Sequence, residues 1–239
     1  KTEHKQVVLR YNYDYSDTLG FTAVAYNNEH ARNWFKTEGI DLNGSADADS
    51  LSRTSWSNII NDINTNSSRD GVSSSDLSRI LSGELDTAVG SIDMRSNNRE
   101  YFSRGIQLGF NWSGSIGDVT HSLEGSIRVH QDEEDRMQYD SSYQQVSGAL
   151  VLNDVGVLGA AGNRVQEADA TAIYIYDRIE FGNWAFTPGI RFEDIELKRT
   201  RYNNGVSRTI RDSRENDTQV WLPGAGISYN FDSGITLLA

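Results

Sequence analysis

Apolar and polar residues alternate one by one along several stretches of this chain. In residues 7–13, Val7, Leu9, Tyr11 and Tyr13 fall on one face, with Val8, Arg10 and Asn12 on the other. In 105–112, Ile106, Leu108, Phe110 and Trp112 oppose Gly105, Gln107, Gly109 and Asn111. In 121–131, Leu123, Gly125, Ile127 and Val129 oppose Ser122, Glu124, Ser126, Arg128 and His130. The same holds for Trp184, Phe186, Ile190 and Phe192 in 184–193, and for Trp221, Ala225, Ile227, Tyr229 and Phe231 in 221–231. A period of two puts successive side chains on opposite sides of an extended backbone, so each stretch predicts a strand with unlike faces. Residues 19–30 and 167–180 are strand-like with a looser pattern.

The connections alternate short and long. Tight turns are expected at 15–18, 113–117, 182–183 and 232–234, and loops at 33–98, 132–166 and 201–217. A membrane barrel has this asymmetry, with short turns on the periplasmic side and long loops outside. The count is about seven strands and the start of an eighth, provided 143–152 belongs to an outer loop or a pair of loop strands; one more spanning strand would break the parity. Within 33–98, Trp56, Ile59, Ile60 and Ile63 have helical spacing, as do Leu77, Ile80, Leu81 and Leu85 after a serine-rich start suited to capping. Aromatics gather beside the short turns: Tyr13 and Tyr15, Phe110 and Trp112, Phe181 and Trp184, Tyr229 and Phe231. They fit an interfacial girdle, though aromatics also favour strands in general.

Composition narrows the class. Mean hydropathy is −0.57, and no run approaches the roughly 20 apolar residues of a membrane helix. A barrel escapes that test because its apolar residues occupy alternate positions. A net charge of −12 across 239 residues argues against a nucleic-acid partner. With 0 Cys there is no disulfide, thiol catalysis or thiolate metal site. The chain opens in strand-like sequence and stops inside the apolar run Ile235-Thr236-Leu237-Leu238-Ala239, so both ends read as cut.

Five segments carry a resemblance to the TonB-dependent outer-membrane receptors, most of all to the branch of ferric citrate receptors. The first is Asn98-Arg99-Glu100-Tyr101-Phe102-Ser103-Arg104-Gly105-Ile106-Gln107. The second is His121-Ser122-Leu123-Glu124-Gly125 running into Arg128-Val129-His130-Gln131-Asp132-Glu133-Glu134-Asp135-Arg136-Met137-Gln138. The others are Glu167-Ala168-Asp169-Ala170-Thr171-Ala172-Ile173-Tyr174, Thr187-Pro188-Gly189-Ile190-Arg191-Phe192-Glu193, and Trp221-Leu222-Pro223-Gly224-Ala225-Gly226-Ile227-Ser228-Tyr229. The resemblance implies an all-β, antiparallel up-and-down barrel of about 22 strands, plugged by a separate domain. It implies a receptor that binds a ferric chelate outside and imports it with energy passed by TonB through that plug. This chain would be about a third of such a barrel, without plug, TonB-contacting segment or terminal aromatic strand.

Alternation places Arg99, Tyr101, Glu124, Arg128, His130, Arg191 and Glu193 on the side facing the lumen. Inward arginines suit an anionic chelate because the guanidinium fork matches carboxylate oxygens in pairs; equally, they can pair with each other's acidic neighbours or with the plug. Lys198, Arg199, Arg201, Arg208, Arg211 and Arg214 put six cations into one region of an acidic chain. They could draw in an anionic ligand or lipopolysaccharide phosphates, or form a solvated loop balanced by Asp212, Glu215 and Asp217. The acidic runs 131–136 and 47–49 offer calcium-type oxygens without calcium-loop spacing, so a hydrated loop rim is the simpler reading. His4, His30, His121 and His130 show no metal spacing, and no nucleophile elbow or phosphate loop is present. No cofactor and no enzymatic activity are expected. The reading is an outer-membrane iron-chelate receptor in contact with lipid and lipopolysaccharide. Its rivals are a porin-like barrel and a soluble carbohydrate-binding sandwich, which would bury one strand face in a dry core.

Overall fold

The computed structural model describes residues 2–44 and 52–239. It holds nine strands and two helices: β1 Thr2–Asp14, β2 Leu19–Ile40, α1 Trp56–Asn64, α2 Ser74–Leu81, β3 Ile92–Ile116, β4 Val119–Val146, β5 Ala149–Asp154, β6 Gly162–Phe181, β7 Trp184–Tyr202, β8 Ile210–Asn230 and β9 Thr236–Leu238. All pair antiparallel in one unclosed sheet of order β1-β2-β3-β4-β6-β7-β8-β9, with β5 attached to β4 alone. β5 is thus one arm of an outer hairpin, and β9 is a three-residue strand paired to β8. That is the arrangement the parity argument required.

Register fixes which side chains share a face, because residues opposite each other across an antiparallel pair point the same way. One face carries Val7, Leu9, Phe21, Ile106, Leu108, Phe110, Ile127, Val129, Ile173, Ile175, Phe186, Phe192, Trp221 and Ile227. These residues lie in a band beside the short turns, with Ile106 58% exposed, Leu108 53% and Ile127 42%. A sandwich would seal such a row; here nothing among the described residues covers it. On β7 the band runs from Trp184 to Phe192, about 26 Å along the strand, or roughly 20 Å of thickness at the usual tilt. It stops along one row, Asn27, Arg104, Gln131, Asp169, Glu196 and Asp217, where the same face turns polar across six strands.

The aromatics sit at the lower rim of this band. Trp184 meets Tyr229 edge-on with centroids 4.7 Å apart, and Tyr229 meets Phe231 in the same way at 4.7 Å. The Phe110 ring lies over Gly125, whose missing Cβ would stand 3.0 Å from Phe110 Cζ. Each short turn is closed by its own backbone: Tyr15 N donates to Leu19 O at 2.9 Å and Phe231 N to Ile235 O at 2.8 Å. Gly182 takes φ +56°, a conformation glycine adopts without steric cost. The β6–β7 ladder skips the pairs of Asp177 and Arg178. It does so beside Pro188, which has no N–H to give.

The strands run well past the band, and this shortens every expected loop. The loop expected at 33–98 is 41–91, because β2 continues to Ile40 and β3 begins at Ile92. The loop expected at 132–166 is largely strand: β4 is 28 residues long, and only the β5 hairpin and its flanks remain outside the spanning sheet. The basic loop expected at 201–217 is 203–209, and Arg211 and Arg214 belong to β8. The turn expected at 113–117 is only 117–118. Above the band apolar residues such as Val165 and Leu197 occur on both faces among polar ones, so period two carries no steady contrast there, while ladder hydrogen bonds continue regardless of side-chain polarity.

The buried hydrophobic cluster lies in the long loop. Ile40, Leu42, Ile59, Leu77 and Ile80 pack together, with Trp56, Ile63, Val72 and Leu85 against them. Ser55 and Ser73 cap the two helices by accepting from Asn58 N and Asp76 N. Ile60 and Leu81, expected on the same faces, remain exposed. The loop is tied to the neighbouring hairpin: Gln145 Nε2 donates to Ile80 O at 2.8 Å and Leu85 O at 2.9 Å. Ser147 N donates to Asp86 Oδ1 at 2.7 Å, and Gly83 and Gly148 cross closely enough to exclude a Cβ at Gly83.

Candidate functional site

The opposite face holds the side chains that could meet a ligand. The register brings Arg99, Tyr101, Arg128, His130, Arg191, Arg199, Arg201 and Arg214 onto it together. At band height its charges are paired. Arg128 Nε donates to the Tyr26 hydroxyl at 3.0 Å and Arg128 Nη2 to His130 Nδ1 at 3.0 Å. A guanidinium only donates, so Nδ1 is the accepting nitrogen and Nε2 carries the proton facing Asp132 Oδ2 at 2.6 Å. Tyr26 reaches this group by lying across Gly105, where a Cβ would come within 2.7 Å of Tyr26 Cζ. Glu124 accepts from Tyr174 at 2.6 Å and Tyr176 at 2.7 Å, and Arg191 pairs with Glu193 at 2.5 Å.

Above the band the same face is differently charged. One row across β2, β3, β4, β6 and β7 reads Arg32, Arg99, Arg136, Arg164 and Arg201, ending on Asp212 of β8. The adjacent row reads His30, Tyr101, Glu134, Gln166, Arg199 and Arg214. Those two rows hold seven arginines against two carboxylates. Like charges directly opposite destabilise a sheet unless something offsets them. Glu134 does so in part, lying 2.7 Å from Arg136, 3.5 Å from Arg99 and 3.9 Å from Arg164. Asp212 takes Arg201 at 2.8 Å, and the Tyr101 hydroxyl accepts from Arg32 at 2.8 Å. The Nε atoms of Arg32, Arg164 and Arg199 are buried with no hydrogen-bond partner among the described residues. A buried donor left unmade costs about 1–3 kcal/mol, more when charged. The two rows therefore hold more cations than acceptors.

Two of the expected residues stand apart. Arg208, on the 203–209 loop, makes a two-point pair with Asp135 at 2.7 and 2.5 Å, which holds its guanidinium above the ordinary arginine value. Arg211 points off the shared face and meets Asp212 only at 3.4 Å. Arg32, Arg136, Arg164 and Glu134 are the members that sequence reading missed, since they fall where strands were expected to have ended. The acidic run 131–136 is strand rather than loop rim, and its carboxylates alternate between faces. The run 47–49 lies outside the described residues.

An unclosed antiparallel sheet with an uncovered apolar band outside, a charged face inside, short turns at one end and long loops at the other is a section of transmembrane barrel wall. The sequence model for the "TonB dependent receptor-like, beta-barrel" family matches residues 1–239, and the chain belongs to that family. Its members are transport receptors of the Gram-negative outer membrane. Among solved structures the sheet is similar to the ferric citrate transporter FecA in its unliganded form. The TM-score is 0.63 at 19% identity, covering 96% of this chain and 25% of that one. It is similar to the siderophore receptor PiuA from Acinetobacter baumannii, with TM-score 0.61, 13% identity, and 96% and 30% of the two chains covered. It also resembles the ferric-catecholate import receptor Fiu from E. coli K12 in its open form, with TM-score 0.58, 12% identity, and 95% and 33% covered. At these identities the likeness is one of fold, and the chain spans a quarter to a third of each receptor's length.

Proposed function

We propose that this chain forms part of the wall and outer loops of an outer-membrane receptor for an anionic iron chelate. Import would be energised by TonB acting on a plug domain elsewhere in the same receptor. The observation that supports this reading is the surplus of arginines over carboxylates on two adjacent inward rows, with three buried Nε donors unmatched. A chelate bearing carboxylate oxygens would offset that surplus through charge-assisted pairs with the guanidinium groups, which are roughly twice as strong as neutral ones. The apolar band would lie against lipid, with lipopolysaccharide around the polar strand extensions above it. Such a receptor performs no chemistry on its cargo; it selects by binding.

The test uses the intact receptor, with Arg99, Arg164 and Arg199 each replaced by Gln. Each replacement should weaken binding of ferric citrate by about tenfold, since one charge-assisted hydrogen bond is worth about 1.5–3 kcal/mol. An uncharged ferric trihydroxamate should be indifferent to the change. Ferric citrate affinity that stays put in all three variants would remove the anion reading. Iron uptake that persists without TonB would remove the energised importer while leaving the binding site in place.

A further inference from the structure

The inward face is not polar throughout its outer half. Directly below the Gln166–Arg199 pair, the register sets Ala168 opposite Leu197, and below that Ala170 opposite Ile195. Leu197 is 45% exposed. Ala168 and Leu197 form the floor and far side of a groove of about 330 Å³, and Ala170 and Ile195 continue the apolar strip below it. His30 and Tyr101 form its near side, their rings 5.8 Å apart, and Glu134 and Gln166 stand at its upper edge. Three strand spacings separate Tyr101 on β3 from Leu197 on β7, so the groove is about 14 Å across. Methyl and isobutyl groups on a wall that is otherwise charged make no hydrogen bond to an anion. Their location supplies the argument: Tyr101, Glu134 and Gln166 line the groove and belong to the row that continues to Arg199, so a molecule seated there lies beside that row.

We propose that the anionic chelate bound by the arginine rows carries an aliphatic arm, and that this arm lies in the groove over Ala168 and Leu197 and runs on along Ala170 and Ile195 below it. The proposal rests on the anion reading above and names the ligand class more narrowly. Each methylene of the arm withdrawn from water contributes about 0.8 kcal/mol, so three or four seated on the groove would raise affinity by roughly a hundredfold. The arginines supply attraction for any polyanionic chelate. The groove supplies the preference among them.

The experiment measures binding of two probes to the intact receptor: the ferric complex of a citrate-based chelator, and the same complex bearing an octyl arm. The wild type should hold the octyl complex at least tenfold more tightly. Leu197→Asn and Ile195→Thr should abolish that preference without changing affinity for the unarmed complex, and Ala168→Gln, which fills the groove from its floor, should do the same. Equal affinity of the wild type for both probes would overturn the proposal, as would a preference that survives all three groove variants. Arg199→Gln separates the two layers of the argument. If it weakens both probes alike while the groove variants do nothing, the anion reading stands and the aliphatic arm falls. If it weakens neither, and Arg99→Gln and Arg164→Gln also leave both probes unchanged, both fall together.

Discussion

Gly105 shows how a single residue sets the chemistry of its neighbours. With no Cβ, it lets Tyr26 of β2 lie over β3 and join Arg128 and His130 on β4. An added Cβ would sit 2.6 Å from the Val129 carbonyl and 2.7 Å from Tyr26 Cζ. Gly105→Ala should therefore lower the stability of the intact receptor by about 1–3 kcal/mol, the usual cost of overpacking. Chemical unfolding would show this, and an unaltered midpoint would mean the Tyr26 ring moves aside freely. The alternation of residues 105–112 made the glycine's face legible in the sequence. Its role was not, because the ring that crosses it comes from a strand paired through a long loop.

At the scale of elements, the helical loop has a buried hydrophobic cluster, completed by Ile40 at the end of β2. Ile59 and Leu77 are fully buried within it, so Leu77→Ala should remove about 2–4 kcal/mol from its local stability. Protease cleavage in 65–73 should accelerate in that variant while the barrel strands keep their hydrogen-exchange protection. Uniform loss of protection would mean that loop and wall unfold as one.

Asp93 adds a pH dependence at this outer end of β3, far from the apolar band. Burial, then the neighbouring Asp140 and Glu38, outweigh Arg53 and Arg95 and push its carboxyl up from 3.8 to about 6. A raised folded value means that the protonated form is favoured by folding. That stability is full below 3.8 and is lost as pH rises through about 6. Loop protection should fall between about pH 4 and 6, and Asp93→Asn should flatten the profile. An identical profile in that variant would assign the dependence to other groups. Both helices were legible from their apolar spacing and serine caps, whereas the upper halves of the strands were not. Residues such as Arg32, Arg136 and Arg164 each stand between one polar and one apolar neighbour, so nothing marks one face from the other until the ladder partners are known.

For the whole molecule, the decisive contrast is between the two sides of one strand. Ile127 points into the band and Arg128 to the charged face. Ile127→Arg should cost about 2–4 kcal/mol at mid-band. Ser126→Arg, one residue away on the other side, should be better tolerated in membranes. Folding yield into lipid bilayers measures both, and equal penalties would contradict a lipid-facing band.

The order of short and long connections, the apolar band, the helices of the long loop and the inward placement of Arg99, Tyr101, Arg128, His130 and Arg191 were all set by local pattern. Each depends only on a residue's position relative to its neighbours along the chain. The arginine rows, the aliphatic groove and the tether between the long loop and its hairpin depend on register between strands far apart in sequence. Pairing energy along the full ladder sets that register, and a one-residue slip would send every one of these side chains to the opposite face.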